Sequence, residues 1–227
     1  MKKIRGELSP TAKDTTLEDA TFRLPDGREK AVPIVHRPDA VVVVPVRLGG
    51  DGGRLQVLLV RQPRPAVDED ALIELVAGKI EPGDDALTTA RRELAEEAGL
   101  EGLQWRLLSE SLVPASGYSD ERVHVYTVMG LSTVASREDD AHITREWVAL
   151  DHALRMVRDG EIREMKARDA LRTVGERFDP LVAAFGGVTR ADDLATAAGE
   201  ALAAYRRECA AGEMSAPAGG EYASAPE

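Results

Sequence analysis

Two apolar runs, at 40–46 and 55–62, constrain the fold more than any other feature of this sequence. They read AVVVVPV and LQVLLVRQ, and both are rich in the β-branched residues that favour strands. The glycine-rich segment RLGGDGG lies between them and is typical of a turn that joins two strands. The first run contains no polar residue, so it predicts a strand that is buried on both faces of its sheet.

Helical and strand patterns alternate along the rest of the chain. A further strand is predicted at 121–130 from its alternating apolar residues. Helices are predicted at 86–98, 151–160 and 162–174. This alternation predicts an α/β sandwich.

The two ends of the chain differ in character from its centre. Short strand-like pieces flank the turn LPDG at 24–27, which indicates an N-terminal β arm. Good helix formers at 191–209 predict an additional C-terminal helix, and small residues dominate the sequence that follows. The predicted division is a β arm at 1–38, a main domain at 39–175, a helical extension at 176–209 and a disordered tail at 210–227.

Composition excludes several classes of function. The formal net charge is −11 and no basic stretch is longer than a pair, so nucleic acid is a poor partner. The longest apolar run, at 40–46, is too short to cross a bilayer. A single cysteine, Cys209, allows no internal disulfide and suits a reducing compartment. We therefore expect a cytoplasmic protein that binds neither nucleic acid nor membrane.

The predicted helix at 86–98 carries an unusual concentration of acid. Glu93, Glu96 and Glu97 lie three and four residues apart, so their carboxylates share one side of the helix. Like charges at this spacing destabilise a helix by about 0.2–0.5 kcal/mol per pair, and Arg92 can pair with Glu96 but cannot neutralise all three. Carboxylates without nearby His or Cys suit Mg²⁺ or Mn²⁺. Because substrate phosphates often complete a Mg²⁺ shell, the pattern predicts a metal between these acids and a diphosphate.

Both ends of this helix carry termination signals. Asp84 and Asp85 lie where the helix should begin, and either side chain can accept a hydrogen bond from an unpaired N–H group. We expect Asp84 to cap the helix rather than to bind metal, with Asp85 as the neighbouring alternative. Gly99 supplies the residue that ends the helix.

The segment 78–100, GKIEPGDDALTTARRELAEEAGL, resembles the Nudix box, G-x5-E-x7-R-E-U-x-E-E-x-G-U, in which U is aliphatic. Eight of its nine fixed positions match, and Asp84 stands where the family has Glu. The segments VRQPRPAVDEDALIELVAGK (60–79) and PASGYSDERVHVY (114–126) are similar to those of ADP-ribose pyrophosphatases within that family. Pro63 and Pro65 replace the aromatic residues usual there, and Ser116 a frequent proline. The resemblance covers residues from about 15 to 175.

This resemblance implies a fold and a reaction. The implied fold is a Nudix α/β/α sandwich with a mixed central sheet, an N-terminal strand arm and an extra C-terminal helix. The implied activity is Mg²⁺-dependent hydrolysis of ADP-ribose or a related ADP-sugar to AMP and a sugar phosphate, by a homodimer that associates through residues 1–38. The alternatives are hydrolysis of another nucleoside diphosphate sugar, such as GDP-mannose, and a sensor that binds ADP-ribose without cleaving it. The nearly intact box favours the hydrolase, as does a C-terminal segment too short and too acidic for a winged helix.

The resemblance also implies roles for individual residues. Glu93 and Glu97 would be the principal ligands of the catalytic metal, and Glu96 and the carbonyl of Ala77 would complete its sites. A solvated acidic helix face is the alternative for the three glutamates. A general base is expected on a later loop, where the candidates are Glu138, Asp139 and Asp140; a polar surface loop is the alternative there.

Substrate contacts are expected on both sides of the box. Arg61 and Arg64 would bind phosphate or the terminal ribose phosphate, since a guanidinium can contact two oxygens at once, although both could be ordinary strand-end arginines. Glu74 would hold the adenine or the ribose, or would be a strand-edge charge. Gly78, Gly117 and Ser119 complete the predicted substrate-binding set.

Overall fold

The structure, a computed structural model, describes residues 2–12, 14–49, 54–134 and 142–186. Its first three strands form an antiparallel sheet in the order β1-β2-β3. They are β1 (Lys2–Ala12), β2 (Thr15–Arg23) and β3 (Glu29–His36). The predicted turn joins β2 to β3, where Gly27 adopts φ +86° and donates its N–H to the Leu24 carbonyl at 3.0 Å. Glycine favours this left-handed conformation because it has no Cβ.

A second, mixed sheet forms the centre of the molecule. Its main path has the order β10-β5-β4-β9-β8, while β6 pairs with β5 and β7 pairs with β4. β4 runs parallel to β9, and the other neighbouring pairs are antiparallel. The strands are β4 (Ala40–Leu48), β5 (Leu55–Arg64), β6 (Glu69–Glu74), β7 (Val76–Lys79), β8 (Leu100–Leu112), β9 (Val123–Thr133) and β10 (Thr144–Ala149).

Helices cover both faces of the central sheet. They are α1 (Ala86–Ala98), α2 (Leu150–Asp159) and α3 (Met165–Gly186). Successive β4 side chains point to opposite faces: Val41 and Val43 pack in the cluster that contains Leu94 of α1, whereas Val42 and Val44 pack with α2 and α3. This arrangement confirms the α/β/α sandwich with a mixed sheet. It also confirms that β4 is buried on both faces, since these four valines are at most 1% exposed.

The strand predicted at 121–130 corresponds to β9, and α2 ends as expected before Gly160, which adopts φ +85°. α3 continues to Gly186, beyond the end predicted from the sequence. The helix predicted at 191–209 and the tail at 210–227 lie outside the described residues, and the proposed domain division stays a prediction. Among the described residues, no helix combines the length and apolar character that crossing a membrane would need.

Candidate functional site

The start of α1 is fixed by Asp85. This residue has extended backbone angles, φ −89° and ψ 164°, and its Oδ1 accepts a hydrogen bond from the Thr88 N–H at 2.8 Å. That bond, with a second from the Thr88 hydroxyl, holds the pKa of Asp85 below its ordinary value. The expectation that Asp84 caps the helix is therefore wrong. Asp84 lies one residue too early, in a turn that its N–H closes on the Glu81 carbonyl at 3.0 Å.

The end of α1 is set by Gly99. This glycine adopts φ 65° and ψ 34°, and its N–H donates to the Ala95 carbonyl at 3.0 Å, so the helix stops and β8 begins at Leu100. Arg145 of β10 donates from Nε to the Glu97 carbonyl in this last turn. The strand that follows residues 138–140 is thereby tied to the helix that carries the acidic cluster.

The three glutamates of α1 lie around one arginine and one strand. Nη1 of Arg92 lies 2.8 Å from Oε1 of Glu93 and 3.0 Å from Oε2 of Glu96. Burial lowers the pKa of Arg92, but Glu93 and Glu96 outweigh it and the net shift is upward. The predicted pairing of Arg92 with Glu96 is confirmed, and Glu93, only 9% exposed, shares the same guanidinium.

Strand β7 packs directly against these carboxylates. Oε2 of Glu97 accepts a hydrogen bond from the Ala77 N–H at 3.1 Å. A Cβ built on Gly78 would lie 1.9 Å from Cδ and 2.0 Å from Oε1 of Glu93. Any larger residue at 78 would therefore displace the Glu93 carboxylate, which explains the glycine by lack of room rather than by backbone conformation.

The chemistry of this cluster fits a hard divalent cation. Within the described ranges, no three His, Cys, Asp or Glu side chains are already arranged as a metal site, and Glu93 and Glu96 instead contact Arg92. The donors are nevertheless all oxygens, gathered on one helix face beside the backbone of Ala77. Mg²⁺ commonly uses only one or two protein carboxylates and takes its other ligands from substrate phosphates and water. The donor set thus fits Mg²⁺ or Mn²⁺ completed by a diphosphate.

Arg64 and Glu74 form a two-pronged ion pair. Nε and Nη2 of Arg64 donate to Oε1 and Oε2 of Glu74 at 2.7 and 2.6 Å, and Gln62 Nε2 adds a third bond at 3.2 Å. The bonds to Glu74 raise the pKa of Arg64 above its ordinary value, so its guanidinium stays charged. Glu74 is 5% exposed, so it is not a strand-edge charge but the buried counter-ion that orients Arg64. Its contact with substrate stays a prediction.

The other predicted substrate residues lie on neighbouring elements. Arg61 of β5 is half-buried and lies 3.5 Å from Glu146 of β10. Gly117 and Ser119 belong to the β8–β9 loop (residues 113–122), in which the Ser119 hydroxyl accepts the Glu121 N–H at 3.2 Å.

This loop leads into β9, which pairs with the same strand, β4, as β7 does. Ala40 pairs with Lys79 of β7 on one side and with Val123 of β9 on the other. The end of the β8–β9 loop and strand β7, which contains Gly78, thus lie on either side of the same end of β4. Candidate general bases Glu138, Asp139 and Asp140 lie outside the described residues.

Sequence reasoning missed Gln62, Arg145 and the role of Lys79, whose carbonyl accepts a hydrogen bond from Arg92 Nη2 at 3.3 Å. Gln62 had a usable signal, because it lies between Arg61 and Arg64 in the segment 60–79. Arg145 and the Lys79 carbonyl gave none, since their contacts depend on how β10 and β7 pack against α1.

Comparisons with known proteins agree with this geometry. The protein-family model for the NUDIX domain matches residues 36–168 of this sequence. A methanol dehydrogenase activator of Bacillus methanolicus is 31% identical over 168 residues, which cover 73% of this chain and 87% of that protein. ADP-ribose pyrophosphatases of Bacillus subtilis and Mycobacterium tuberculosis are 31% and 35% identical, over 70% of this chain and over 83% and 75% of their own lengths.

A solved structure of an ADP compounds hydrolase shares the fold. It has a TM-score of 0.67 at 20% sequence identity, covering 80% of this chain and 96% of that one. The domain match alone spans more than half of the 227 residues. The chain therefore belongs to the Nudix family and is a Nudix pyrophosphohydrolase.

Proposed function

We propose that this Nudix hydrolase cleaves the diphosphate of ADP-ribose or a related ADP-sugar into AMP and a sugar phosphate, using Mg²⁺ or Mn²⁺. One observation carries the proposal: Glu93, Glu96 and Glu97 are gathered against β7. At position 78 of that strand, only a glycine leaves room for the Glu93 carboxylate. Relatives that are named ADP-ribose pyrophosphatase, in two bacterial species, support the choice of nucleotide sugar.

Glu93, Glu96, Glu97 and the Ala77 carbonyl are the groups that would hold the metal. When bound, Mg²⁺ supplies Lewis-acid chemistry, drawing charge from diphosphate oxygens and activating water. Arg92 holds Glu93 and Glu96 together by its two short contacts, and the Ala77 N–H holds Glu97 by a hydrogen bond. The chain thus positions carboxylates that would repel one another on an isolated helix.

Arg64 is the best-oriented candidate for the substrate. The pair with buried Glu74 uses Nε and Nη2 and fixes the plane of the guanidinium, while 43% of the side chain stays exposed. A fixed, exposed guanidinium edge suits phosphate or ribose oxygens. Arg61, Gly117 and Ser119 are proposed to complete substrate binding. Glu138, Asp139 or Asp140 is proposed to supply the general base.

A panel of nucleotide sugars tests this function. Phosphate release coupled to a phosphatase, with Mg²⁺ present, should be fastest for ADP-ribose or another ADP-sugar. Faster hydrolysis of GDP-mannose would mean that the substrate is a different nucleotide sugar, while the reaction would remain hydrolysis of its diphosphate. Tight binding of ADP-ribose with no release of phosphate would overturn the proposal and favour a sensor.

Association of two chains through residues 1–38 is also proposed. β1 is an outer strand of the N-terminal sheet, and Leu8 on it is 63% exposed. An exposed edge strand offers unpaired backbone groups to a second copy. Light scattering at micromolar concentration should show a dimer, and a monomer would remove this part of the proposal.

We also propose that the protein is cytoplasmic, because its single cysteine suits a reducing compartment.

A further inference from the structure

His36 lies between the N-terminal sheet and the β8–β9 loop. It is the last residue of β3, and its Nδ1 lies 2.5 Å from Oδ2 of Asp120 in that loop. Its Nε2 lies 2.9 Å from Oε2 of Glu18 on β2. Both ring nitrogens therefore contact carboxylates, and the two carboxylates belong to different parts of the molecule.

Glu18 is a fixed anchor for this histidine. Its side chain is 4% exposed, and its other carboxylate oxygen contacts Nζ of Lys3 on β1. Hydrogen bonds from Lys3 and His36 lower the pKa of Glu18, so it remains charged. A buried charge is stable only when it is paired, which holds Lys3, Glu18 and His36 together.

The β8–β9 loop runs alongside the segment of chain that connects β3 to β4. The Val35 N–H donates to the Tyr118 carbonyl at 2.6 Å, and the Ala40 N–H donates to the Arg122 carbonyl at 2.8 Å. Between these backbone bonds, Asp120 accepts the Arg37 N–H at 3.3 Å and contacts His36. His36 thus adds a side-chain link from the middle of this contact to buried Glu18.

We propose that His36 is a positioning residue for substrate binding: by joining Asp120 to buried Glu18, it holds residues 118–122, and with them Ser119, in place. The substrate contact of Ser119 rests on the proposed function, but the link itself does not. Loss of the link should raise the KM for the nucleotide sugar and leave kcat nearly unchanged, because the acidic cluster on α1 is not part of it.

Protonation of His36 controls the strength of this link. A neutral imidazole donates one hydrogen bond, whereas the imidazolium donates two, one to each carboxylate. The bond to Asp120 and then the bond to Glu18 raise the pKa of His36 above its ordinary value. The charged groups around it are Asp120 from the loop, Glu18 from β2 and Lys3 behind Glu18. The link is therefore complete below the unfolded pKa and is lost as pH rises through the higher folded value.

Two variants and one control test the proposal in the full chain. Asp120→Asn weakens the link at the loop and leaves Glu18 paired with Lys3 and His36, so folding is not at risk. His36→Gln removes the link at its centre. His152→Gln changes an exposed histidine on α2 and serves as the matched control.

The first measurement needs no activity: amide hydrogen exchange at Val35 and Ala40, whose N–H groups bond the loop. At about pH 6, where histidine is largely protonated, both variants should exchange about tenfold faster than wild type, as expected for loss of a charged hydrogen bond. The control should match wild type. Unchanged exchange in both variants would overturn the link.

The second measurement is KM and kcat for ADP-ribose across the pH range. The ratio of KM between His36→Gln and wild type should be greatest at low pH and fall towards one as His36 loses its proton. Faster exchange with an unchanged KM would overturn the positioning role. A wild type that hydrolyses no nucleotide sugar would instead overturn the proposed function, and the exchange data would still decide the link.

Discussion

Replacing Gly78 by alanine should remove most activity while the protein still folds. The added Cβ would lie 1.9 Å from Cδ, 2.0 Å from Oε1 and 2.4 Å from Cγ of Glu93. Carbon atoms in contact prefer separations of about 3.5 Å or more, so the Glu93 carboxylate must move by about 1.5 Å. The backbone at Gly78 is not in the left-handed region, so alanine introduces no conformational strain there.

The expected magnitudes follow from what has to move. Overpacking a buried site costs about 1–3 kcal/mol, and the lower end applies because the displaced atoms are the end of a flexible side chain. A displacement of about 1 Å in a catalytic site can cost about 100-fold in rate. We therefore expect kcat/KM to fall about 100-fold or more, or about 2.7 kcal/mol of transition-state stabilisation.

The assay compares hydrolysis of ADP-ribose with thermal unfolding of the same variants. Gly102→Ala is the matched control, because its Cβ would lie 2.2 Å from Cγ2 of Val128, a core residue. That variant should lose stability but keep its activity per folded molecule. Adding Gly78→Ala to Glu93→Gln should cost little more than Glu93→Gln alone, since both act on one carboxylate. Gly78→Ala with activity within about threefold of wild type would refute this account of Glu93.

Four further predictions concern residues whose contacts are described above. Glu97→Gln should abolish most turnover while the melting temperature without metal holds or rises, because one of several like charges is removed; near-native activity with Mg²⁺ would show that Glu97 is not a ligand. Asp85→Ala should cost about 1 kcal/mol of stability and Asp84→Ala much less, with the difference vanishing in denaturant titrations as pH falls through the lowered pKa of Asp85. Asp84→Glu should leave stability unchanged, and a tenfold or larger shift in the magnesium requirement would place Asp84 at the metal. Arg64→Ala should destabilise by about 1–3 kcal/mol by leaving buried Glu74 short of partners, and adding Glu74→Ala should recover part of that loss; additive losses would contradict the pair.

The layers of the fold were predictable because they depend on local patterns. The all-apolar run of β4 indicated burial on both faces, and the three- and four-residue spacing of Glu93, Glu96 and Glu97 placed their carboxylates on one side of α1. These properties follow from the periods of strands and helices, which the sequence shows directly.

Contacts between distant segments were not predictable from one sequence. Arg64 bonds to Glu74 although the register between β5 and β6 places Glu69 opposite Arg64 and Val60 opposite Glu74, and His36 contacts Asp120 across 84 positions. A shift of one residue in the register between β5 and β6 would move Glu74 to the other face of the sheet, away from Arg64. The error at Asp84 has a local cause: two adjacent aspartates have the same capping chemistry, and only the backbone angles decide between them.

The rate of AMP formation from ADP-ribose, measured against magnesium concentration with the full chain, decides whether this protein is a metal-dependent ADP-ribose hydrolase. We expect no AMP in the presence of a chelator, a saturable rise in rate with added Mg²⁺, and equal amounts of AMP and sugar phosphate. AMP formation at an undiminished rate in the chelator, or ADP-ribose that remains intact at saturating Mg²⁺, would contradict it.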